Sequence, residues 1–172
     1  MHYSGGSMHI VRKSKRDFSR TFAVNERRLR SILGDMCAIE HIGSTAVPGV
    51  DGKGIIDILI GFDDSQQINQ AIPKLLDNNY FRGRNPSSRK DRIFMASSMD
   101  DTKRGDIHLH LVLRTSKDFY DFIAFRDYLR HNPKEAKKYS DLKYRIIEEV
   151  GDNREEYKKR KSHFIEAVLH TK

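Results

Sequence analysis

The chain lacks most of what would place it outside a reducing, aqueous compartment. It has one cysteine, Cys37, so no internal disulfide can form; a lone thiol at the end of a predicted helix reads as a small buried hydrophobe. No apolar run approaches the ~20 residues of a membrane span, and no secretory signal is evident, so the expectation is a cytoplasmic protein with no membrane partner. Internal repeats, low-complexity tracts and domain linkers are missing as well. The basic segments carry no zinc-finger, RNP or basic-zipper pattern, which leaves nucleic acid as a partner supported by charge alone. Nothing in the sequence sets an oligomeric state.

What is present is a polar-surfaced chain of 172 residues, 37% hydrophobic and 33% charged, enough for one domain with its own core. The expected bounds are 8–172, with a core over about 15–114 and a helical end over about 117–171. The net charge of +8 is uneven. Residues 9–30 hold eight Lys/Arg against two Asp/Glu, and 82–92 hold five against one, whereas 31–81 hold two against seven. Basic segments beside an acidic stretch suit a metal-bound, phosphorylated ligand, or are simply solvated helix faces.

The acidic stretch contains the most informative residues. Glu40-His41-Ile42-Gly43-Ser44-Thr45-Ala46-Val47-Pro48-Gly49 leads, through Lys53, into the apolar run Ile55 to Ile60, which is interrupted by Asp57. A Gly-Ser turn brings backbone N–H groups close to phosphate, and a following strand can offer a carboxylate to a divalent metal. That order is the one polymerase-like nucleotidyltransferases need. Their second carboxylate, two positions on, is here Leu59. A turn followed by a buried strand is the plainer reading, but an unpaired carboxylate there would cost several kcal/mol or take up a proton, so Asp57 needs a cationic partner. Gly43 and Ser44 are the candidates for phosphate contact, with Thr45 behind them. Lys53 is either a phosphate counter-charge or a solvated lysine, and His41 either orients Ser44 or a carboxylate or is a satisfied core residue.

Periodicity supplies the frame. Phe18, Phe22, Leu29, Ile32, Leu33 and Met36 form one stripe of a helix over 15–34 ended by Gly34. A short strand at 37–42, the Gly43–Gly54 loop and a strand at 55–61 follow. A helix from Ser65, as its cap, to Asp77 contains Pro73, which should kink it or end it early. Three antiparallel strands are expected at Tyr80–Arg84, Arg92–Ser97 and Asp106–Leu113, with turns at Asn85-Pro86-Ser87-Ser88 and Asp100–Gly105. Alternation puts Asp106, His108 and His110 on one face of the last strand, and such a polar face makes the two imidazoles, with Glu40, candidates to complete a metal site around Asp57. Imidazoles would favour Mn²⁺ or Zn²⁺ over Mg²⁺. Helices are expected at 117–131, 134–149 and 153–170.

The block at 40–49, Lys53, Ile55-Ile56-Asp57-Ile58, His108-Leu109-His110 and Phe125-Arg126-Asp127-Tyr128-Leu129-Arg130, with Tyr139, Leu142-Lys143 and Tyr157 downstream, resembles the GrpB family from about Phe18 onward. That resemblance implies the nucleotidyltransferase fold superfamily. Where the family often has Lys-Pro before Ile-Ile-Asp, this chain has Lys53-Gly54. The resemblance favours Lys53 as a phosphate counter-charge, adds weight to the histidine pair, and marks Arg126, Lys143 and Lys161 as basic positions shared with the family. Arg126 could fork to phosphate or pair internally with Asp127 or a glutamate.

The fold expected is therefore α+β: a nucleotidyltransferase-like mixed sheet with helices on one side and a C-terminal helical subdomain closing over the Gly-Ser loop. The function expected is binding of a nucleoside triphosphate with a divalent metal (Mg²⁺, Mn²⁺ or Zn²⁺) and nucleotidyl transfer to an acceptor, with Asp57 central. The rivals are a ligand-binding module without chemistry, favoured by Leu59, and an RNA-associated accessory protein.

Overall fold

The computed structural model describes residues 18–83, 92–97 and 105–170. The start of the expected first helix, the turn at Asn85-Pro86-Ser87-Ser88, nearly all of that at Asp100–Gly105, and much of both basic segments lie outside the described residues.

The elements follow the expected order: α1 (Phe18–Leu33), β1 (Ala38–Ile42), a short 3-10 turn (Ser44–Ala46), β2 (Ile56–Phe62), α2 (Ser65–Asp77), β3 (Phe81–Arg82), β4 (Arg92–Ser97), β5 (Ile107–Leu113), α3 (Lys117–His131), α4 (Pro133–Val150) and α5 (Arg154–His170). The five strands form one mixed sheet in the order β1-β2-β5-β4-β3. β2 is interior to that sheet, antiparallel to β1 and parallel to β5, and β5 to β3 run as an antiparallel meander.

Strand alternation sorts the side chains into two different surfaces. Ile56, Ile58, Ile60 and Phe62 of β2, with Ile107, Leu109 and Leu111 of β5, turn to one face. There they pack against Leu29 and Leu33 of α1 and Ile68, Ala71, Ile72 and Leu75 of α2. Cys37, buried, belongs to this core, as its sequence context suggested. The opposite face carries Glu40 and Ile42, Asp57 and Leu59, and His108, His110 and Val112, which the strand register sets side by side. α3 covers part of it, with Phe119, Phe122 and Ile123 on Ile42, Leu59 and Val112. Gly61 permits that approach, since a Cβ there would lie 2.4 Å from the Phe119 ring.

Two local expectations are corrected. The cap of α2 is Asp64, whose carboxylate accepts from the Gln67 N–H, and not Ser65. Pro73 does not end α2, which runs on to Asp77. Pro73 and Asn69, whose carbonyl loses its partner, both face solvent, and water can satisfy that carbonyl while Ile72 and Leu75 stay anchored in the core. The helical end packs on the loop after β1: Val47 and Val50 join Leu129, Ala136, Tyr139 and Phe164. Among the described residues, no helix is long and apolar enough to cross a membrane.

Candidate functional site

The site lies on the polar face of the sheet, where the loop after β1 and the helical end meet it. Gly43 ends β1 with φ 73°, a left-handed conformation that favours glycine, and a Cβ there would stand 2.5 Å from Asp57 Oδ2. The Gly43-Ser44 turn is thus laid against the Asp57 carboxylate. His108 Nδ1 and His110 Nε2, on the adjacent strand, are each 3.3 Å from Asp57 Oδ1. Desolvation pushes the Asp57 carboxyl up, but hydrogen bonds and charge from the two imidazoles outweigh it and hold the group well below the usual carboxylate range. Phe94 lies edge-on to His108, and Phe94 and Phe122 flank His110, which fixes both rings. The buried His110 Nδ1 has no hydrogen-bond partner among the described residues.

On the other side of Ser44 is a group of lysines. Lys143, 2% exposed, donates from Nζ to Ser44 Oγ at 2.9 Å and to the Asp51 carbonyl, and lies 4.6 Å from the centre of the Tyr139 ring. Burial, reinforced by Lys161 and opposed by Asp51, pushes its ammonium down to about 7. Lys161 is also lowered by burial, with Asp57 pulling it up and Lys158 down. Lys53 and Lys161 sit 5.6 and 5.9 Å from the Tyr157 ring. Lys53 is exposed as a residue, yet desolvation of its ammonium and the charges of Arg154, Lys161 and Lys158 lower its pKa.

Of the residues nominated from sequence, the structure therefore gathers Gly43, Ser44, Asp57, His108 and His110 with Lys53, Lys143 and Lys161. It sets Thr45, His41, Arg126 and Glu40 apart. Thr45 Oγ1 donates to the Ile55 carbonyl at 3.0 Å, so the His41 imidazole, 3.0 Å away, donates from Nε2. His41 stacks on Phe22 and is held neutral down to about 4, first by burial and then by Arg130. Arg126, 8% exposed, donates to Glu40 Oε2 at 2.6 Å, to Asp127 Oδ1 at 2.8 Å and to the His41 carbonyl at 3.1 Å. Glu40 and Arg126 are thus engaged with each other, tying α3 to β1. Sequence reasoning passed over Arg130, which donates to the Ala46 carbonyl at 2.9 Å. It also passed over Asp51, held by Ser140, Lys143 and Tyr144. Its standing as the only acid between Glu40 and Asp57 was the available signal.

Among the described residues no group of three or more His, Cys, Asp and Glu side chains is arranged to hold a metal ion. Both imidazoles address one oxygen of Asp57, and Leu59, where a second carboxylate would stand, is fully buried beneath α3. One carboxylate with two imidazoles does not fit the oxygen cage that Mg²⁺ demands.

Comparison with known proteins agrees with this frame. The chain matches the GrpB protein family over residues 9–171. It is 34% identical to a UPF0157 protein of Vibrio cholerae over 84% of this chain and 71% of that one. The crystal structure of the conserved protein GrpB from Enterococcus faecalis superimposes with a TM-score of 0.73 at 22% identity, over 94% of this chain and 98% of that one. Cid1 in complex with its short product ApU has a similar fold, with a TM-score of 0.55 at 13% identity, over 78% of this chain but only 43% of Cid1. Another structure of the Cid1 poly(U) polymerase contains MgGTP. The fold is thus nucleotidyltransferase-like, and with the match running almost end to end, the chain belongs to the GrpB family.

Proposed function

We propose that the chain binds a nucleoside triphosphate between the Gly43-Ser44 turn and the lysines of the helical end, and transfers its nucleotidyl group to an acceptor. One observation carries the reading: Ser44 is shared by a turn laid against the Asp57 carboxylate and by the buried ammonium of Lys143. In the reaction an acceptor oxygen bonds to the α-phosphorus, the bond to the bridging oxygen of pyrophosphate breaks, and the acceptor proton passes to the Asp57–histidine group. Lys143, Lys161 and Lys53 offset the charge that collects on the departing pyrophosphate. The described residues form no group arranged to hold a metal ion, so a divalent cation that takes part would enter with the nucleotide and meet the Asp57 carboxylate, beside which His108 and His110 would favour Mn²⁺ or Zn²⁺ over Mg²⁺. The similarity of fold to Cid1 supports the reading at the level of architecture.

The test is titration of ATP, GTP, CTP and UTP, each without metal and with Mg²⁺, Mn²⁺ or Zn²⁺, followed by an assay of pyrophosphate release over a panel of acceptors. At least one nucleotide is expected to bind, and Lys53→Ala to weaken it about tenfold, the loss of about 1.4 kcal/mol. No binding under any condition refutes the proposal. Leu59 favours a second reading, a nucleotide-binding module without chemistry: binding with no pyrophosphate release, and Asp57→Asn altering affinity alone. An RNA-associated role rests on the basic segments 9–30 and 82–92, and salt-sensitive RNA binding that survives Asp57→Ala would support it over both.

A further inference from the structure

Lys143 is a buried cation that, among the described residues, makes no ion pair with any carboxylate. Its Nζ rests on two neutral oxygens, Ser44 Oγ and the Asp51 carbonyl, and above the face of Tyr139. The Asp51 carboxylate is turned to the Tyr144 hydroxyl, 3.0 Å away. Among the described residues no carboxylate is in ion-pair contact with Lys143. A buried ammonium stabilised by dipoles alone is expensive, and the ordinary resolution is partial loss of its proton. The charged and titratable groups around it come from every neighbouring element. Lys161 opposes it from α5, the Asp51 carboxylate favours it from the loop, and Tyr139 faces it from α4. Tyr157, with Lys53 and Lys161 against its ring, adds cations beyond these, and Asp57 acts on Lys161. The cluster is therefore short of negative charge.

We propose that a phosphate of a di- or triphosphate ligand is the counter-charge Lys143 lacks, so that the ligand binds with net uptake of a proton at this amine and is released as pH rises above neutrality. The idea rests on the phosphate reading of the Ser44 turn. An anion within about 4 Å raises an amine's pKa by one to three units, enough to return Lys143 toward its ordinary range in the complex. Burial lowers the amine to about 7 in the free protein, and a phosphate set beside it would keep it protonated in the complex. Above pH 7.5 the nucleotide's own phosphates are already ionised, so the proton taken up belongs to the protein.

Isothermal titration of each of the four nucleoside triphosphates without metal, between pH 7 and 9 and in buffers of different ionisation enthalpy, tests this. The expected result is uptake approaching one proton at pH 8 and an affinity falling by on the order of tenfold per pH unit above 7.5. Lys143→Arg, charged throughout, is expected to bind with a flat pH profile and no proton uptake. Since Lys143 is buried, Lys143→Met serves as the second variant, expected to be weak at pH 7 and equally flat. Binding without proton uptake, or a pH slope that survives either variant, overturns the inference and leaves the proposed function standing. No metal-free binding by any of the four overturns the inference, and the proposed function falls with it only when Mg²⁺, Mn²⁺ and Zn²⁺ restore none.

Discussion

At the scale of single residues, Gly43 does two jobs that no other residue can combine. It holds a left-handed φ and leaves room for the Asp57 carboxylate, which a Cβ would meet at 2.5 Å. Gly43→Ala is expected to cost about 1–3 kcal/mol in urea unfolding and to weaken nucleotide binding more than tenfold. Gly34→Ala, with φ 72° but nothing within 4 Å, should cost only about 1 kcal/mol and leave binding alone. Arg126 gives the complementary case. Its guanidinium is spent on Glu40, Asp127 and the His41 carbonyl, so Arg126→Met should lower stability by about 2 kcal/mol, less than for a sealed pair because both carboxylates are 39% exposed, and change nucleotide affinity less than twofold. The candidate site was legible in part: alternation sets His108 and His110 on one face of β5, and the β2–β5 register then brings Asp57 to that face. Lys143, ninety-nine positions from Ser44, was legible only through a family resemblance, because no local period says where a helix will dock.

At the scale of elements, α2 shows which local signals carry weight. Asp64 and Ser65 are both good capping residues, and the choice falls to Asp64 because its extended backbone aims the carboxylate at the Gln67 N–H, 2.8 Å away. Asp64→Ala should therefore destabilise the protein by about 1 kcal/mol by chemical denaturation, and Ser65→Ala by less than about 0.5 kcal/mol. Pro73 fails to end α2 early for a similar reason. Its cost depends on whether the orphaned Asn69 carbonyl can reach water, and that is decided by the face of the helix it lies on. Among the described residues, sequence patterns located the five strands and five α-helices, but not the packing of α3 over Leu59. That packing accounts for the leucine: the place of a second carboxylate is the floor on which Phe119, Phe122 and Ile123 rest.

For the molecule as a whole, acidification should be costly. His41 is held neutral in the folded protein down to about 4, against 6.5 as its ordinary value. Between those limits the unfolded chain binds a proton that the folded one refuses. The stabilisation is complete above pH 6.5 and is lost as pH falls toward 4, by up to about 3 kcal/mol. Lys143, lowered to about 7, acts with the same sign between pH 10.5 and 7. Urea midpoints should therefore fall from pH 9 to pH 5, and His41→Gln should reduce the drop between pH 7 and 5. The parallel ladder between β2 and β5 has a kinetic consequence. Its two strands are separated by everything from Asp63 to Asp106, whereas β1, β3 and β4 each pair with the strand that follows them in the chain. Closing that long segment carries the largest entropic cost in the sheet. In pulsed hydrogen exchange during refolding, amides shared by β4 and β5 should be protected before those shared by β2 and β5. Asp57 sits on one side of the late seam and both histidines on the other, so a chain caught partway through folding has the imidazoles without their carboxylate. The most reactive-looking corner of the protein exists only where the β2–β5 seam is closed, so on this order a chain with that seam still open lacks it.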